Sequence, residues 1–201
     1  MNDSPTPAAR RRAELRERLI DAAEAAIVAK GLSGLKARDI AAQAGCAVGA
    51  IYTAFEDLDE LVLRVNERTL GRLEQALPAA AGDTGLRDLA TAYLAFARAE
   101  EPRWRALFEH RLPQGKDVPD WYASARQSLF TRLEAPLAEI APAADRAQTA
   151  LLAKTLFSAV HGVVALGMEE KIGPTSAAAL EAQVDTLARL LAVGLASRPA
   201  T

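Results

Sequence analysis

Covalent chemistry needs a nucleophile, an acid–base pair, a metal-ligand set or a phosphate cradle, and this chain offers few candidates. The single cysteine, Cys46, can neither close an intramolecular disulfide nor build a cysteine-cluster zinc site. The two histidines, His110 and His161, have no metal-ligand spacing to each other or to carboxylates. No glycine-rich phosphate loop is present. These absences argue against an enzyme, and no metal or cofactor is expected. What remains is a stretch whose residue types suit non-covalent work: Arg38 to Phe55, RDIAAQAGCAVGAIYTAF.

Its spacing fits a helix, a tight turn and a second helix packed at a steep angle. Ile40 and Ala44 point inward from the first helix, and Ala41 is small where the second must cross closely. Gly45 supplies the positive φ of the turn, while Cys46 and Ile51 pack back on the first helix. That leaves Ala47, Val48, Gly49, Ala50, Tyr52 and Thr53 on or near the outer side. Small outward residues let a helix sink into the DNA major groove, about 12 Å wide, and bring its N-terminal amides to phosphate. A helical hairpin of this kind also serves as plain core architecture, so spacing alone leaves both readings open.

The elements that must position this stretch are helical throughout. Alanine, leucine, arginine and glutamate dominate, apolar residues recur at spacings of three and four, and no run of alternating β-branched residues occurs. The fold class is therefore all-α, with about nine helices. A first helix from Pro7 or Arg10 to Lys30 turns Leu19, Ile20, Ala23, Ala26 and Ile27 to one face, and Gly31 stands where a C-terminal cap is favoured. Short helices follow around Arg38 to Ala44 and Val48 to Ala54. A long one, capped by Asp57, carries the stripe Leu58, Leu61, Val62, Val65, Leu73 and Leu77 before Pro78 ends it. Pro78 to Gly85 reads as a seam. Beyond it, punctuation places helices from Leu86 to Glu100, Pro102 to before Pro113, and Pro119 to Ile140 with a kink at Pro136. Two more run from Asp145 to about Glu170 and from Ala177 to Ala196. The Gly173-Pro174 pair separates them, and Thr175 or Ser176 caps the last.

The domain organisation expected is a disordered tail (1–9), a helix-turn-helix domain (10–56), a connecting helix (57–77) and a C-terminal domain (78–201). No stretch of roughly 18 uninterrupted apolar residues is present, so no membrane span or membrane partner is expected. With one cysteine and no secretory leader, the expected compartment is the cytoplasm. Net charge is −2, but unevenly spread: residues 1–55 carry eight Lys/Arg against six Asp/Glu, and the remainder sixteen against twenty. Charge permits nucleic-acid binding at the N-terminal end without requiring it.

The flanks make a resemblance specific. GLSGLKARDIAAQAGCAVGAIYTAFEDLDELVLRV, Gly31 to Val65, resembles the DNA-binding domain of the TetR family of bacterial regulators. The elements that carry it are the glycine after the first helix, R-x-I-A, the A-G turn, G-x-I-Y-x-x-F and the E-x-L-x-x-x-V start of the fourth helix. The resemblance implies a dimeric, ligand-responsive transcriptional repressor with double-stranded operator DNA as its partner. It implies that Tyr52 sets its hydroxyl on a phosphate, that Thr53 and the Ala47–Ala50 turn (Ala47, Val48, Gly49, Ala50) face base edges and backbone, and that Lys36 and Arg38 contact phosphates. Phe55 is expected to pack. A half-buried aromatic in the small core is the other reading of Tyr52. Two positions depart from the family pattern: Lys36 stands where a small hydroxyl residue is usual, and Leu58 where lysine is usual. With few side-chain donors on the recognition turn, Lys36 and the triplet Arg10, Arg11 and Arg12 are expected to supply phosphate attraction, and DNA shape to contribute specificity. A solvated arm is the alternative for the triplet. A protein-interaction module that has lost its DNA contacts is the alternative for the whole segment.

In the second half, Thr155 to Met168 is uncharged all round its helix and needs cover on two sides. The last helix adds Leu180, Val184, Leu187, Leu191 and Leu195 on one face, with Leu190 and Val193 turned elsewhere. A homodimer interface of four helices is expected, with Leu156, Val160, Val163, Val164, Leu187 and Leu191 in it, and full burial within one protomer is the alternative. Phe96, Trp104, Phe108, Trp121, Tyr122, Phe157 and His161 are the candidates for lining an apolar pocket for an unknown small-molecule effector, against ordinary core packing. For His161 a satisfied buried histidine and a ligand-facing one stand equally open. SAVHGVVALG, Ser158 to Gly167, preceded by RWRALFEHRLP, resembles the family's subgroup named for a Trp-His-Gly signature, although its tryptophan is absent here.

Overall fold

The computed structural model of the 201-residue chain describes residues 6–79, 82–169 and 175–197. Among them there are nine α-helices and no strand. Contacts divide the chain into two compact units, residues 1–70 with 100–123, and residues 71–99 with 124–201.

The first unit is built on α1 (Pro7–Lys30). Thr6 caps it, its hydroxyl accepting from the Ala9 amide at 3.2 Å, and Pro7 occupies the first position, where its missing N–H costs nothing. Pro7 to Ala9, expected in a disordered tail, are helical, and Met1 to Pro5 lie outside the described residues. α1 buries Leu19, Ile20, Ala23 and Ile27 against α2 (Ala37–Gln43), α3 (Gly49–Ala54) and the start of α4 (Leu58–Ala76). A 3-10 turn over Leu32–Gly34, not anticipated from sequence, links α1 to α2. Asp57 caps α4 by accepting from the Glu60 amide at 2.9 Å.

The unit also takes in α6 (Glu101–Glu109), which packs against α1 and sends Ala106 into the same core. This differs from the boundary at residue 78 expected from composition. The reason is non-local: Glu24 of α1 is buried and accepts from Arg103 of α6 at 2.7 Å, and Arg68 of α4 lies 3.5 Å from the same carboxylate. Arg68 also reaches Asp21 at 2.6 Å. A buried carboxylate is tolerated only when paired and hydrogen-bonded, so this cluster ties three helices together.

The second unit contains the last turns of α4, α5 (Gly82–Ala99), most of α7 (Asp120–Ile140), α8 (Arg146–Gly167) and α9 (Ala177–Ala196). α5 begins before the Leu86 expected from sequence, so Gly85 belongs to the helix and not to a seam. α8 opens on a capping box in which Asp145 and Gln148 satisfy each other's amides, and it stops at Gly167, short of Glu170. The Gly173-Pro174 pair lies outside the described residues. Ser176 caps α9. Leu86, Leu137, Ala153, Leu156 and Leu195 form the core here, and Arg87–Asp185 and Arg98–Glu181 ion pairs tie α5 to α9. A Cβ on Gly167 would collide with the Leu180 side chain, so the absence of one lets α8 and α9 close together. α8 is long and apolar enough to cross a membrane by length and composition, with a mean hydropathy of 1.6 over an 18-residue window. Lys154, Ser158 and His161 interrupt its apolar run.

Gly45 holds φ at +66°, and a Cβ there would meet nothing within 4 Å. Gly45→Ala is therefore expected to cost about 1–2 kcal/mol through backbone strain alone, read as a lower urea midpoint with an unchanged m-value.

Candidate nucleic-acid interface and apolar cavity

The α2–turn–α3 segment sorts its side chains sharply. Ile40, Ala41, Ala44, Ile51, Ala54 and Phe55 are buried in the first unit's core, and Cys46 packs partly against it. Lys36, Arg38, Ala47, Val48, Gly49, Tyr52 and Thr53 are exposed, and Ala50 is half-buried. Tyr52 keeps 56% of its surface in solvent and is not part of the first unit's core cluster. Phe55 is packed, with the Arg16 guanidinium 4.2 Å above its ring.

Polar groups around α3 are committed in ways that sequence reasoning missed. Arg16 donates to the Ala54 carbonyl and, at 3.1 Å, to Glu60, and Arg12 donates to the Thr53 carbonyl at 3.4 Å. Two α1 arginines thus satisfy the C-terminal carbonyls of α3, where positive charge is favoured. The Thr53 hydroxyl donates to the Gly49 carbonyl at 3.2 Å, so it is turned back on its own helix. Helical spacing could have suggested this bond; the arginine contacts span more than thirty-five residues and carry no local signal.

The two departures from the family pattern have visible consequences. Lys36 occupies the N-cap of α2 in extended geometry, and its side chain makes no capping hydrogen bond. Leu58 packs against the core instead of carrying a charge outward. Nearby, Lys116 from the loop after α6 pairs with Asp57, and His110 lies 2.9 Å from Asp59. The Lys116 hydrogen bond holds the Asp57 carboxyl below its ordinary value of 3.8.

The second unit contains an apolar cavity of about 40 Å³, with Leu77, Leu89, Tyr93, Leu129, Phe157 and Leu191 in its walls. Of the seven residues singled out as lining candidates, Phe157 alone is in the wall. His161 stacks on Phe157 with centroids 5.7 Å apart and lies 2.8 Å through Nδ1 from the Tyr93 hydroxyl. Phe96 is buried on α5 outside the wall. Trp104, Phe108, Trp121 and Tyr122 belong to the first unit, where Trp104 packs edge-on against Phe108 and Arg64 sits 3.5 Å over Trp121. The walls are mainly leucines, which helical periodicity cannot distinguish from any other core.

Of the six residues expected in a subunit interface, Leu156 and Val164 are buried within the protomer and Val160, Val163, Leu187 and Leu191 are half-buried. Leu156 is in the second unit's own core, which takes the inward faces of α8 and α9 and leaves the opposite faces outside. Those faces expose Leu151, Leu166, Leu190 and Val193 instead.

Two family models match the chain. That of the bacterial regulatory proteins of the tetR family covers residues 19–65, and that of the tetracyclin repressor-like C-terminal domain covers residues 86–191. The chain belongs to the TetR family. It is a transcriptional regulator by family, and members are DNA-binding proteins rather than enzymes. No curated protein matches it. Among solved structures, a TetR-like fold is shared with a Rhodococcus sp. RHA1 protein of unknown function, at 22% identity over 91% of this chain and 96% of that one, TM-score 0.71. It is shared as well with the Bacillus subtilis transcriptional regulator FadR in complex with stearoyl-CoA, at 18% identity over 89% and 98%, TM-score 0.64. A third is SmeT, the repressor of the Stenotrophomonas maltophilia multidrug efflux pump SmeDEF, at 24% identity over 89% and 88%, TM-score 0.56. The matching models do not specify a Trp-His-Gly subgroup.

Two measurements check this geometry. Lys36→Thr is expected to supply the missing cap and raise stability by about 1 kcal/mol, read as a higher urea midpoint. Burial pushes the His161 imidazole below its ordinary 6.5. The unfolded chain then binds more protons than the folded one just below that value, so stability falls as pH drops through it. Urea midpoints from about pH 7 to pH 5 are expected to fall more steeply for the native chain than for His161→Phe.

Proposed function

We propose that the protein is a ligand-responsive repressor that binds a palindromic operator as a homodimer. The observation that carries this reading is the bare, exposed face of α3, with Tyr52 projecting from it. Ala47, Val48 and Gly49 keep the approach shallow enough for backbone to reach DNA. Tyr52, Lys36 and Arg38 bind phosphates, and contacts of that kind set register while base edges and DNA shape set specificity. Thr53 and Ala50 face the groove. Because few side-chain donors stand on this face, shape carries a large share of the discrimination.

A single helix-turn-helix reads one half-site, so a two-fold pair is needed, with half-sites about 34–36 Å apart or a multiple of it. The outward faces of α8 and α9 supply the pairing surface: only 17% of α8's apolar window is buried in the protomer. Leu190 and Val193 are 67% and 66% exposed, and large apolar side chains gathered on one face mark an association surface. Leu151, Leu166, Val163 and Leu187 extend it.

The effector enters the apolar cavity of the second unit. That FadR was solved with stearoyl-CoA, a thioester with a long apolar acyl chain, supports an effector with an apolar chain here. Binding shifts the population of conformers of α4, whose residues 58–70 belong to the DNA-reading unit and whose last turns to the other. The protein acts in the cytoplasm, where its operator lies.

Selection from random DNA duplexes tests the reading. The native protein is expected to enrich a palindrome, and Tyr52→Ala to bind that site about tenfold more weakly through loss of a phosphate contact. The double change Leu190→Glu and Val193→Glu is expected to sediment as a monomer and to enrich nothing. No enrichment by the native protein at low salt would favour a protein-interaction module instead.

A further inference from the structure

The cavity of the second unit constrains the chemistry of what it can hold. Tyr93 is the one lining residue with a polar side-chain atom; every other wall is hydrocarbon, and none carries a charge. The Tyr93 ring forms part of the wall, and its hydroxyl ends on His161 at 2.8 Å. Phe157 meets the Tyr93 ring edge-on with centroids 5.6 Å apart, stacks on His161, and is itself met edge-on by Phe130 at 5.4 Å. One side of the polar pair is thus aromatic carbon.

An ionised headgroup drawn into such a site would lose its water and gain no counter-charge. A hydrocarbon chain has no such penalty and gains by leaving water, although the cavity of about 40 Å³ must widen by rotation of its leucine walls to take one. The polar pair adds one requirement. A tyrosine hydroxyl that donates to imidazole nitrogen still accepts from a ligand hydroxyl, and one that accepts from imidazole N–H still donates to a ligand carbonyl. Burial holds His161 neutral, which keeps both arrangements available.

We infer that the effector is an uncharged, flexible hydrocarbon-chain molecule bearing one hydroxyl or carbonyl oxygen, its chain among Leu77, Leu89, Leu129 and Leu191 and its oxygen bonded to the Tyr93–His161 pair. This rests on the ligand-responsive reading above and names the class of ligand for that site. Ligands carrying a carboxylate or an ammonium at the buried end are excluded, and plain alkanes bind less well because they form no hydrogen bond with the Tyr93 hydroxyl.

Calorimetric titration of the full chain, without DNA, tests the inference with 1-decanol, decane and decanoate as probes at about pH 8, above the ordinary histidine value. The alcohol is expected to bind about tenfold more tightly than decane, the size of one net hydrogen bond, and decanoate is expected not to bind measurably. Tyr93→Phe is expected to erase the preference of alcohol over alkane while leaving decane binding unchanged. Should that variant fold poorly, Tyr93→Leu, which also removes the hydroxyl, gives the same comparison of alcohol with alkane. Ala188→Val, which adds carbon inside the cavity wall, is expected to weaken binding of decanol and decane alike while the chain still unfolds in a single cooperative transition. Decanoate binding as tightly as decanol, an alcohol preference that survives both Tyr93 variants, or no binding of decanol overturns the inference. Because no DNA is present, the reading of the protein as a repressor is judged separately. Decanol that binds as expected but fails to release the selected duplex leaves the ligand class standing and removes ligand control of repression.

Discussion

Everything in the first unit depends on one shared apolar core, into which Ile40 of α2 and Ile51 of α3 are both buried on either side of the turn at Gly45. Both isoleucines are fully buried, and the positive φ of Gly45 is what lets α3 fold back on α2 within so few residues. A six-residue helix is too short to be stable alone. Its order comes from Ile51, Ala54 and Phe55 on its inward side, each bringing roughly 1–3 kcal/mol of apolar burial according to size. Once those positions are committed inward, the intervening ones must face out. The small outward residues are thus a direct geometric consequence of the core, and Tyr52 is the one large side chain left in solvent there.

Charge in this unit is spent mostly on holding the frame. Arg12 and Arg16 end on the last carbonyls of α3, Arg18 donates to the Ala44 carbonyl at 3.3 Å, and Arg68 and Arg103 converge on buried Glu24. Arginine suits this role, because its planar fork satisfies several acceptors at once without deprotonating. Lys36 and Arg38 remain exposed at the edge of α2. The modest basic excess of the first 55 residues therefore overstates the charge free to meet phosphate. Of the N-terminal triplet, Arg12 is engaged with α3, and Arg10 lies 4.0 Å from Glu14.

Much of the architecture was legible in the residues because helix punctuation is local. Asp57, Asp145 and Ser176 each hydrogen-bond within their own first turn, so the starts of α4, α8 and α9 could be read from single positions, whereas the Thr6 cap of α1 was not. The inward set Ile40, Ala44 and Ile51 follows from a 3.6-residue period. What escaped depends on contacts between segments distant in the chain. α6 joins the first unit through Arg103 and Ala106, and no local signal announces that. In the second unit, the bulky aromatics drew attention as cavity walls, yet leucines from α4, α5, α7 and α9 form most of the lining. Leu156 and Val164 looked like interface residues on an all-apolar helix, but a helix with no polar face gives no hint of which side meets its own core. Leu166, Leu190 and Val193 hold the outer side.

Hydroxyl-radical footprinting of the protein, read by mass spectrometry with and without the selected duplex, tests the central claim most directly. The account predicts that Tyr52 is oxidised readily in the free protein and protected when DNA is added, while buried Tyr122 resists oxidation in both. Tyr52 that is unreactive in the free protein, or that stays fully reactive with DNA bound, would contradict it.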